Sequence, residues 1–283
     1  MKLAATAILI AITLLAPACA RPQASAIPSA APAGSQDQSA GRARQLLDQM
    51  VTALGGDLWL NRHDLETQGR TAAFFRGQPT GTVIEYKELR RFPAPGQPEA
   101  DRIGFLTERG MIMPGKKIDV VQIWTAGQGY EITFKGRTTL PKDQVEEFYR
   151  RRHHSIEEVI NTWLKAPGVM VVSEGTTMVE RRIADKVTIL GADNDAVTLE
   201  LDTTTHLPLR RTFQWRNATF KDYDEDAEEY DDYHTVMGLP TPFAISRFHN
   251  GDLANQKFIL KAEYNLRPDL ALFDIDKPLL KKN

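Results

Sequence analysis

Two clusters of titratable side chains in this sequence could do chemistry. The first is the basic run 150–154, which ends in two histidines and is followed, after Ser155 and Ile156, by Glu157 and Glu158. Imidazole and carboxylate groups three or four residues apart share one face of a helix, and together they can hold a metal ion. Ser155, however, is typical of a residue that caps a new helix, which would separate the two kinds of ligand. We therefore expect no metal site here but the cationic last turn of a helix, with contact to anionic headgroups as an alternative.

The second cluster is the acidic segment 222–232. It begins like a calcium-binding EF-hand loop, with acids at the first, third and fifth positions. Ala227 stands where that loop needs glycine, and Tyr233 stands where it needs glutamate. We expect a solvated loop at the edge of a sheet, with a weak divalent-cation site as the alternative.

Nothing in the sequence matches a catalytic signature. It contains no Gly-x-Ser-x-Gly elbow, His-Glu-x-x-His pair, phosphate loop or dinucleotide fingerprint. The single cysteine excludes intramolecular disulfides and thiolate clusters, and a net charge of -2 gives no field that would attract nucleic acid. These features favour a monomeric non-enzyme without cofactor, metal or nucleic acid. A hydrolase that uses paired carboxylates or His153 and His154 remains open, because carboxylates are plentiful.

The first residues are typical of a secretory signal peptide, which we place at 1–26. Lys2 precedes an apolar run that is too short to span a bilayer as a helix, and cleavage after 18, 20 or 26 fits the small residues there. Residues 15–19 also resemble a bacterial lipobox, although Ala16 stands where leucine is preferred, so Cys19 is a candidate for lipidation. Residues 27–40, rich in Pro, Ala and Ser, predict a disordered linker. We therefore expect a periplasmic protein, either free or tethered to the outer membrane through Cys19.

The rest of the chain predicts one α+β domain, mainly β. A helix over 41–54 ends at Gly55 and Gly56, and Pro141 and Ser155 open two further helices over 142–152 and 156–164. Alternating apolar and polar residues predict antiparallel strands with one buried face over 82–89, 130–135, 196–202, 209–215, 243–248 and 258–264.

The order of turn and strand markers in the second half resembles a known family. The segment 201–210 (LDTTTHLPLR) leads into a strand, and Tyr230–Tyr233, Gly238-Leu-Pro240 and a closing Ala271–Asp274 follow it. This order is similar to the outer-membrane lipoprotein-sorting family, the LolA/LolB-like periplasmic carriers, over about 41–276, with 277–283 as a tail. The chain is longer than the minimal carrier, and lipidation would make it a fixed acceptor rather than a diffusing carrier.

The resemblance implies a large curved antiparallel sheet, an incomplete barrel, with helices that cover a hydrophobic cavity for acyl chains, and no cofactor. The chain would then bind and carry or accept an acylated lipid or lipoprotein. Apolar side chains on the predicted strands and the second helix of the pair are the candidates for the cavity lining: Ile84, Tyr86, Ile132, Phe134, Ile160, Trp163, Val197, Leu199, Leu201, Phe213, Trp215, Phe243 and Ile245.

Three further expectations follow from the same residues. The helix over 156–164 should act as a lid on the cavity, and Arg211 should lie at the cavity rim or meet a ligand headgroup. Enlarging Val197 to Phe should be tolerated if the cavity is open there. A structural or interaction module whose sheet is filled by its own side chains is the alternative function.

Overall fold

The structure, a computed structural model, describes residues 33–94, 97–108, 116–191 and 195–276. Its helices are α1 (Ala33–Leu54), α2 (Asp57–Leu60), α3 (Lys142–His153) and α4 (Ile156–Asn161), with 3₁₀ turns at Trp163–Lys165 and Leu270–Phe273. No helix within these ranges has the length and apolarity that a membrane span requires. The predicted signal peptide, Cys19 and the 277–283 tail lie outside the described residues.

Thirteen strands form one antiparallel sheet that is not closed. Their bounds are β1 (Asp64–Phe75), β2 (Gln78–Arg91), β3 (Ala100–Glu108), β4 (Lys116–Thr125), β5 (Gln128–Thr133), β6 (Gly136–Thr139), β7 (Met170–Val179), β8 (Arg182–Leu190), β9 (Ala196–Asp202), β10 (Pro208–Arg216), β11 (Tyr223–Val236), β12 (Leu239–His249) and β13 (Asp252–Tyr264). The spatial order is β6-β5-β4-β3-β2-β1-β13-β12-β11-β10-β9-β8-β7, so β1 pairs with β13 in the middle of the sheet. The predicted fold class, a large open antiparallel sheet with a few helices, is confirmed.

Helix α1 starts at Ala33 rather than at residue 41, so it includes part of the segment predicted as a disordered linker. Near the end of that segment, Ala40 packs against the main core, as Leu46, Leu47 and Met50 do further along the helix. It ends where the sequence predicts, at Leu54. Gly55 follows with φ of +120°, and a Cβ there would lie 2.7 Å from the Cδ2 atom of Leu239. Only glycine therefore fits this turn.

The acidic segment is not an edge loop. It forms β11, between β10 and β12, and Asp226 within it is buried. The register places Arg210 opposite Glu229 and Arg211 opposite Glu228, so arginines of β10 neutralise its charge. Opposite charges that face each other across two strands stabilise the pairing. The prediction of a solvated loop was wrong because these partners are remote in sequence.

The main hydrophobic core lies between α1, α4 and the strands at the β7 end of the sheet. Side chains of both helices pack against the inner faces of β8, β9 and β10, and all of these residues are 8% exposed or less: Leu46, Leu47, Met50, Val159, Ile160, Trp163, Val187, Ile189, Val197, Leu199, Leu201 and Phe213. The hydroxyl of Ser39 on α1 also bonds the backbone carbonyl and N–H of Ser173 on β7, both at 3.0 Å. This half of the sheet is filled by the protein's own side chains.

Candidate functional site

A cavity of about 600 Å³ occupies the other half of the molecule. The strands β1–β4 and β10–β13 and the helices α1–α4 contribute to its lining. Its apolar and aromatic wall includes Leu54, Trp59, Leu65, Phe92, Ile103, Trp124, Phe148, Ile156, Tyr230, Tyr233, Ile245, Ile259 and Tyr264. Its volume is within the range of about 300–1,000 Å³ that is usual for pockets that hold small molecules.

Charged side chains form a second part of the lining. Among the described residues, six cations and three carboxylates face the cavity: Arg62, Arg90, Arg151, Arg152, Arg247 and Lys257, with Glu88, Glu157 and Glu228. Strand alternation explains how they reach it, since Glu88 and Arg90 are two residues apart on β2 and point to one side of the sheet. The cavity is therefore amphipathic, not purely hydrophobic as the resemblance implied.

One ion-pair network joins α4 to the strands. The Glu157 carboxylate lies 2.7 Å from Arg62 and 3.5 Å from Arg90, and Arg62 also stacks between Trp59 and Phe92, with its Cζ 4.2 Å from each ring centroid. Burial alone would raise the pKa of Glu157, but Arg90 and Arg62 overcome that effect and lower the pKa to about 2. Glu157 is thus ionised at neutral pH, which holds both guanidinium groups in place.

A second network surrounds Arg152 of α3. Its Nη2 lies 2.6 Å from the Asp101 carboxylate, and its Nε lies 3.4 Å from Glu99, which also pairs with Arg90 at 3.0 Å. Burial raises the pKa of Asp101 to about 6 although Arg152 opposes the shift. Asp101 and Glu99 do not belong to the cavity lining, so Arg152 presents its charge to the cavity while its partner acids lie behind it.

The lining cations of β12 and β13 also have acid partners. Lys257 lies 2.6 Å from Glu88, and Arg247 lies 3.0 Å from Glu147, an acid of α3 outside the lining that also binds Arg151. Cations outnumber carboxylates on the cavity surface, but Glu99, Asp101 and Glu147 behind it balance the difference, so the wall offers guanidinium and ammonium hydrogen-bond donors rather than a large net positive charge.

The histidine cluster is structural. The buried His154 stacks on Phe213 with ring centroids 4.0 Å apart, and its nitrogens contact Asp195 at 2.8 Å and the carbonyl of Arg150 at 2.7 Å. Ser155 caps α4 as predicted, since its hydroxyl accepts a hydrogen bond from the Glu158 N–H. Within the described ranges, no group of three or more His, Cys, Asp or Glu residues could hold a metal ion.

Most of the apolar residues proposed from the sequence lie outside the cavity lining. Ile245 lines it. Trp215 packs against the filled core, and six others belong to that core: Ile160, Trp163, Val197, Leu199, Leu201 and Phe213. Tyr86 is buried beside the lining residue Lys257, whose Nζ lies 5.0 Å from its ring centroid, and Ile132 is buried with Val121 and Ile123. Ile84 and Phe134 are exposed, and the half-buried Phe243 contacts His234. The reason is that α1 and α4 fill the space over β8–β10, so the empty volume lies over the β1–β13 pair.

Arg211 and helix α4 also differ from expectation. Arg211 is 1% exposed and does not line the cavity, although its partner Glu228 does. Only Ser155, Ile156 and Glu157 from the start of α4 reach the cavity, while Val159 and Ile160 are packed in the core. The charged lining was missed because the candidates for the lining were restricted to apolar side chains. Glu88 shares one face of β2 with the candidates Ile84 and Tyr86, and that alternation was the signal that could have found it.

Comparison with solved structures shows what this architecture resembles. A DUF1329 family protein from Desulfovibrio piger matches 83% of this chain over 97% of its own length, with a TM-score of 0.55 and 11% sequence identity. A domain from Vibrio parahaemolyticus, described as an outer membrane lipoprotein-sorting protein, matches over 84% and 97% with a TM-score of 0.51 and 7% identity. The chain has the lipoprotein-sorting fold. The expected fold is thereby confirmed.

A LolA superfamily protein from Nitrosomonas europaea is a further match, with a TM-score of 0.45 and 10% identity over 83% of this chain and 97% of that protein. No family model and no curated protein matches the sequence. At these identities the likeness concerns the lipoprotein-sorting fold, and the residues of the cavity must be judged by their own chemistry.

Proposed function

We propose that this protein binds an acylated ligand, a lipid or a lipoprotein, in the bacterial cell envelope, and that it carries or accepts this ligand without changing it chemically. The observation that supports the proposal is the amphipathic cavity of about 600 Å³ within an open sheet of the lipoprotein-sorting fold. Burial of an acyl chain against its apolar wall would contribute about 0.8 kcal/mol per CH₂ group.

The charged wall adds a requirement on the ligand. Arginine and lysine side chains that face a partly dry cavity bind phosphate or carboxylate groups through charge-assisted hydrogen bonds. An acyl chain with an anionic headgroup satisfies both the apolar wall and the cations Arg247 and Lys257. We infer that the ligand is an anionic amphiphile, whose headgroup adds charge-assisted hydrogen bonds to cations that already pair with Glu88 and Glu147.

Binding of a fluorescent phosphatidylglycerol tests the proposal, with fluorescent phosphatidylcholine for comparison. We expect the parent chain to bind the anionic lipid more tightly. Ile245→Phe, which fills part of the cavity, should weaken binding of both lipids while the free energy of unfolding stays near that of the parent. The same substitution at Ile183, which is 59% exposed on β8, is the matched control and should change neither quantity.

Two results would contradict the proposal: no binding of either lipid by the parent chain, or unchanged affinity in Ile245→Phe. The filled core over β8–β10 is the observation that favours the alternative, a non-enzymatic structural or interaction module of the envelope. Absence of lipid binding together with a stable, monomeric parent would support that module.

Location in the envelope has its own test. We propose export to the periplasm with a lipid on Cys19 as the tether to the outer membrane. The parent should then sediment with membranes after cell lysis, and Cys19→Ser should move it to the soluble fraction or block its processing. A mature wild-type N-terminus at Arg21 or Ile27 would contradict lipidation.

A further inference from the structure

Three hairpin turns at one end of the sheet share a sequence feature. Because all neighbouring strands are antiparallel, the turns between β1 and β2, β5 and β6, and β10 and β11 lie at the same end. Each places a phenylalanine at or beside the turn, directly followed by a cation: Phe75 and Arg76, Phe134 and Lys135, Phe220 and Lys221. We call these six residues the aromatic rim. Hairpin turns at the opposite end, at 126–127, 180–181 and 237–238, contain no aromatic residue.

The side chains of the three phenylalanines are exposed to solvent. Their exposed fractions are 69% for Phe75, 75% for Phe134 and 79% for Phe220. The cation that follows lies over the ring in two of them, with Arg76 at 5.3 Å and Lys135 at 5.6 Å from the ring centroid. Exposed aromatic rings forgo the free energy that burial would provide. Three of them at one end of the sheet therefore indicate a surface that binds a partner.

Hydrogen bonds within its turn hold Phe220 in this exposed position. The side-chain oxygen of Asn217 accepts hydrogen bonds from the N–H groups of Thr219 and Phe220, at 2.9 and 3.0 Å. The N–H of Lys221 donates to the Asn217 carbonyl at 3.0 Å, and Lys221 has φ of +58°. The loop is thus closed on itself, and its ring points away from the core.

The spacing of the rim indicates the shape of the partner. In the sheet order, the pairs β6-β5, β2-β1 and β11-β10 are each separated by two strands. Neighbouring strands are about 4.8 Å apart, so successive phenylalanines are separated by roughly 19 Å along the sheet. Single anchors at such intervals suit an extended surface better than a small molecule.

The charges of the rim indicate its chemistry. Arg76, Lys135 and Lys221 are cations, and the acids described at this end include Asp222 beside Lys221 and Asp252, whose carboxylate lies near Gly77. Asp195, in another turn at the same end, bonds His154 at 2.8 Å. Exposed aromatic rings beside basic side chains are typical of protein surfaces that insert at the headgroup level of an anionic bilayer.

We propose that the aromatic rim docks the protein on an anionic membrane surface. The three rings enter the interface and the three cations contact lipid phosphates. The cavity lining extends along β1 and β13 to Ala73 and Ala254, close to Phe75 and to the turn after β12. Docking by the rim therefore brings one end of the cavity towards the bilayer. The proposal rests on the rim alone and holds whether or not the cavity binds lipid.

Sedimentation with vesicles tests this surface. All samples are produced from the full sequence with Cys19→Ser, so that no lipid on that cysteine contributes, and they are mixed with phosphatidylcholine vesicles with and without phosphatidylglycerol. We expect the parent to bind the anionic vesicles more tightly, with affinity that falls as salt is added. The variant F75S/F134S/F220S should lose about tenfold or more in affinity.

A charge variant and a matched control complete the design. R76Q/K135Q/K221Q should lose roughly fivefold in affinity for each cation removed, and only on the anionic vesicles. Met237→Ser removes a side chain that is 64% exposed at the opposite end of the sheet, and it should bind as the parent does. If the triple phenylalanine variant does not fold, the three single variants provide the same comparison.

Equal binding of the parent to both vesicle types would overturn the proposal, as would unchanged binding by F75S/F134S/F220S. Self-association of the parent, measured by analytical ultracentrifugation, would overturn it if the same triple variant abolished association and left vesicle binding unchanged. In that case a second copy of the chain would occupy the rim.

Discussion

The Nη2 atom of Arg211 lies 3.2 Å from the carboxylate of Glu228, its direct partner in the register of β10 and β11. The Nη1 atom of the same guanidinium donates to the carbonyl of His154 at 3.0 Å, at the end of helix α3. Arg211 is 1% exposed. One buried cation therefore joins the sheet to the helix above it and holds the carboxylate of Glu228, which also lines the cavity.

Replacing Arg211 by Met should destabilise the fold strongly. The substitution leaves the carboxylates of Glu228 and the buried Asp226 without their cation, and loss of one partner from a buried pair typically costs about 3–5 kcal/mol. The free energy of unfolding in urea measures the effect. Adding Glu228→Gln to Arg211→Met should recover part of the loss, since one unpaired charge is then removed.

Arg210→Met is the control for that variant. Arg210 is the neighbouring residue of β10 and its side chain is 31% exposed, so its pairs with Glu229 and Glu200 should contribute about 1 kcal/mol or less. A loss from Arg211→Met no larger than that from Arg210→Met would show that the buried pair does not hold the helix.

Stability should fall as the pH rises from about 4 through about 6, in part because of Asp226. Burial and the neighbouring Glu228 carboxylate raise the pKa of Asp226 to about 6. The folded state therefore keeps this proton at pH values where the unfolded chain has already lost it, so the folded state is favoured at low pH and loses that advantage as the pH rises. The contribution is on the order of 2–3 kcal/mol.

Asp226→Asn removes this ionisation. The variant should gain stability relative to the parent as the pH rises through 6, and urea unfolding at a series of pH values measures the difference. Asp222→Asn, at an exposed position just before the same strand, should follow the parent curve. Parallel curves for the parent and Asp226→Asn would contradict the assignment of the proton to Asp226.

The sequence predicts local structure well where one rule acts alone. Strict alternation in β9 predicts its bounds, Ala196–Asp202, without error, because a strand with one buried face needs only neighbouring residues to show its pattern. Gly55 marks the end of α1 for a similarly local reason. These features require no knowledge of what packs against them.

Features that depend on distant partners could not be predicted in the same way. The sequence of β11 alone predicts a solvated loop, because only the sheet register places Arg210 and Arg211 opposite its acids. The cavity was placed over Val197 because an apolar inner face looks the same whether a helix or a ligand covers it. Only the docking of α1 and α4 on the β7 end of the sheet determines which half is filled.

Val197→Phe tests that division of the sheet directly. Val197 is fully buried between Ile189 and Phe213, its cross-strand neighbours on β8 and β10. A larger side chain has no free space there, so overpacking should cost roughly 1–3 kcal/mol in urea unfolding. Thr198→Phe, on the opposite face of the same strand, is the control and should cost less. If Val197→Phe proved as stable as the parent, space would have to exist beneath β9, and the ligand cavity would then extend into the half of the sheet where the sequence had placed it.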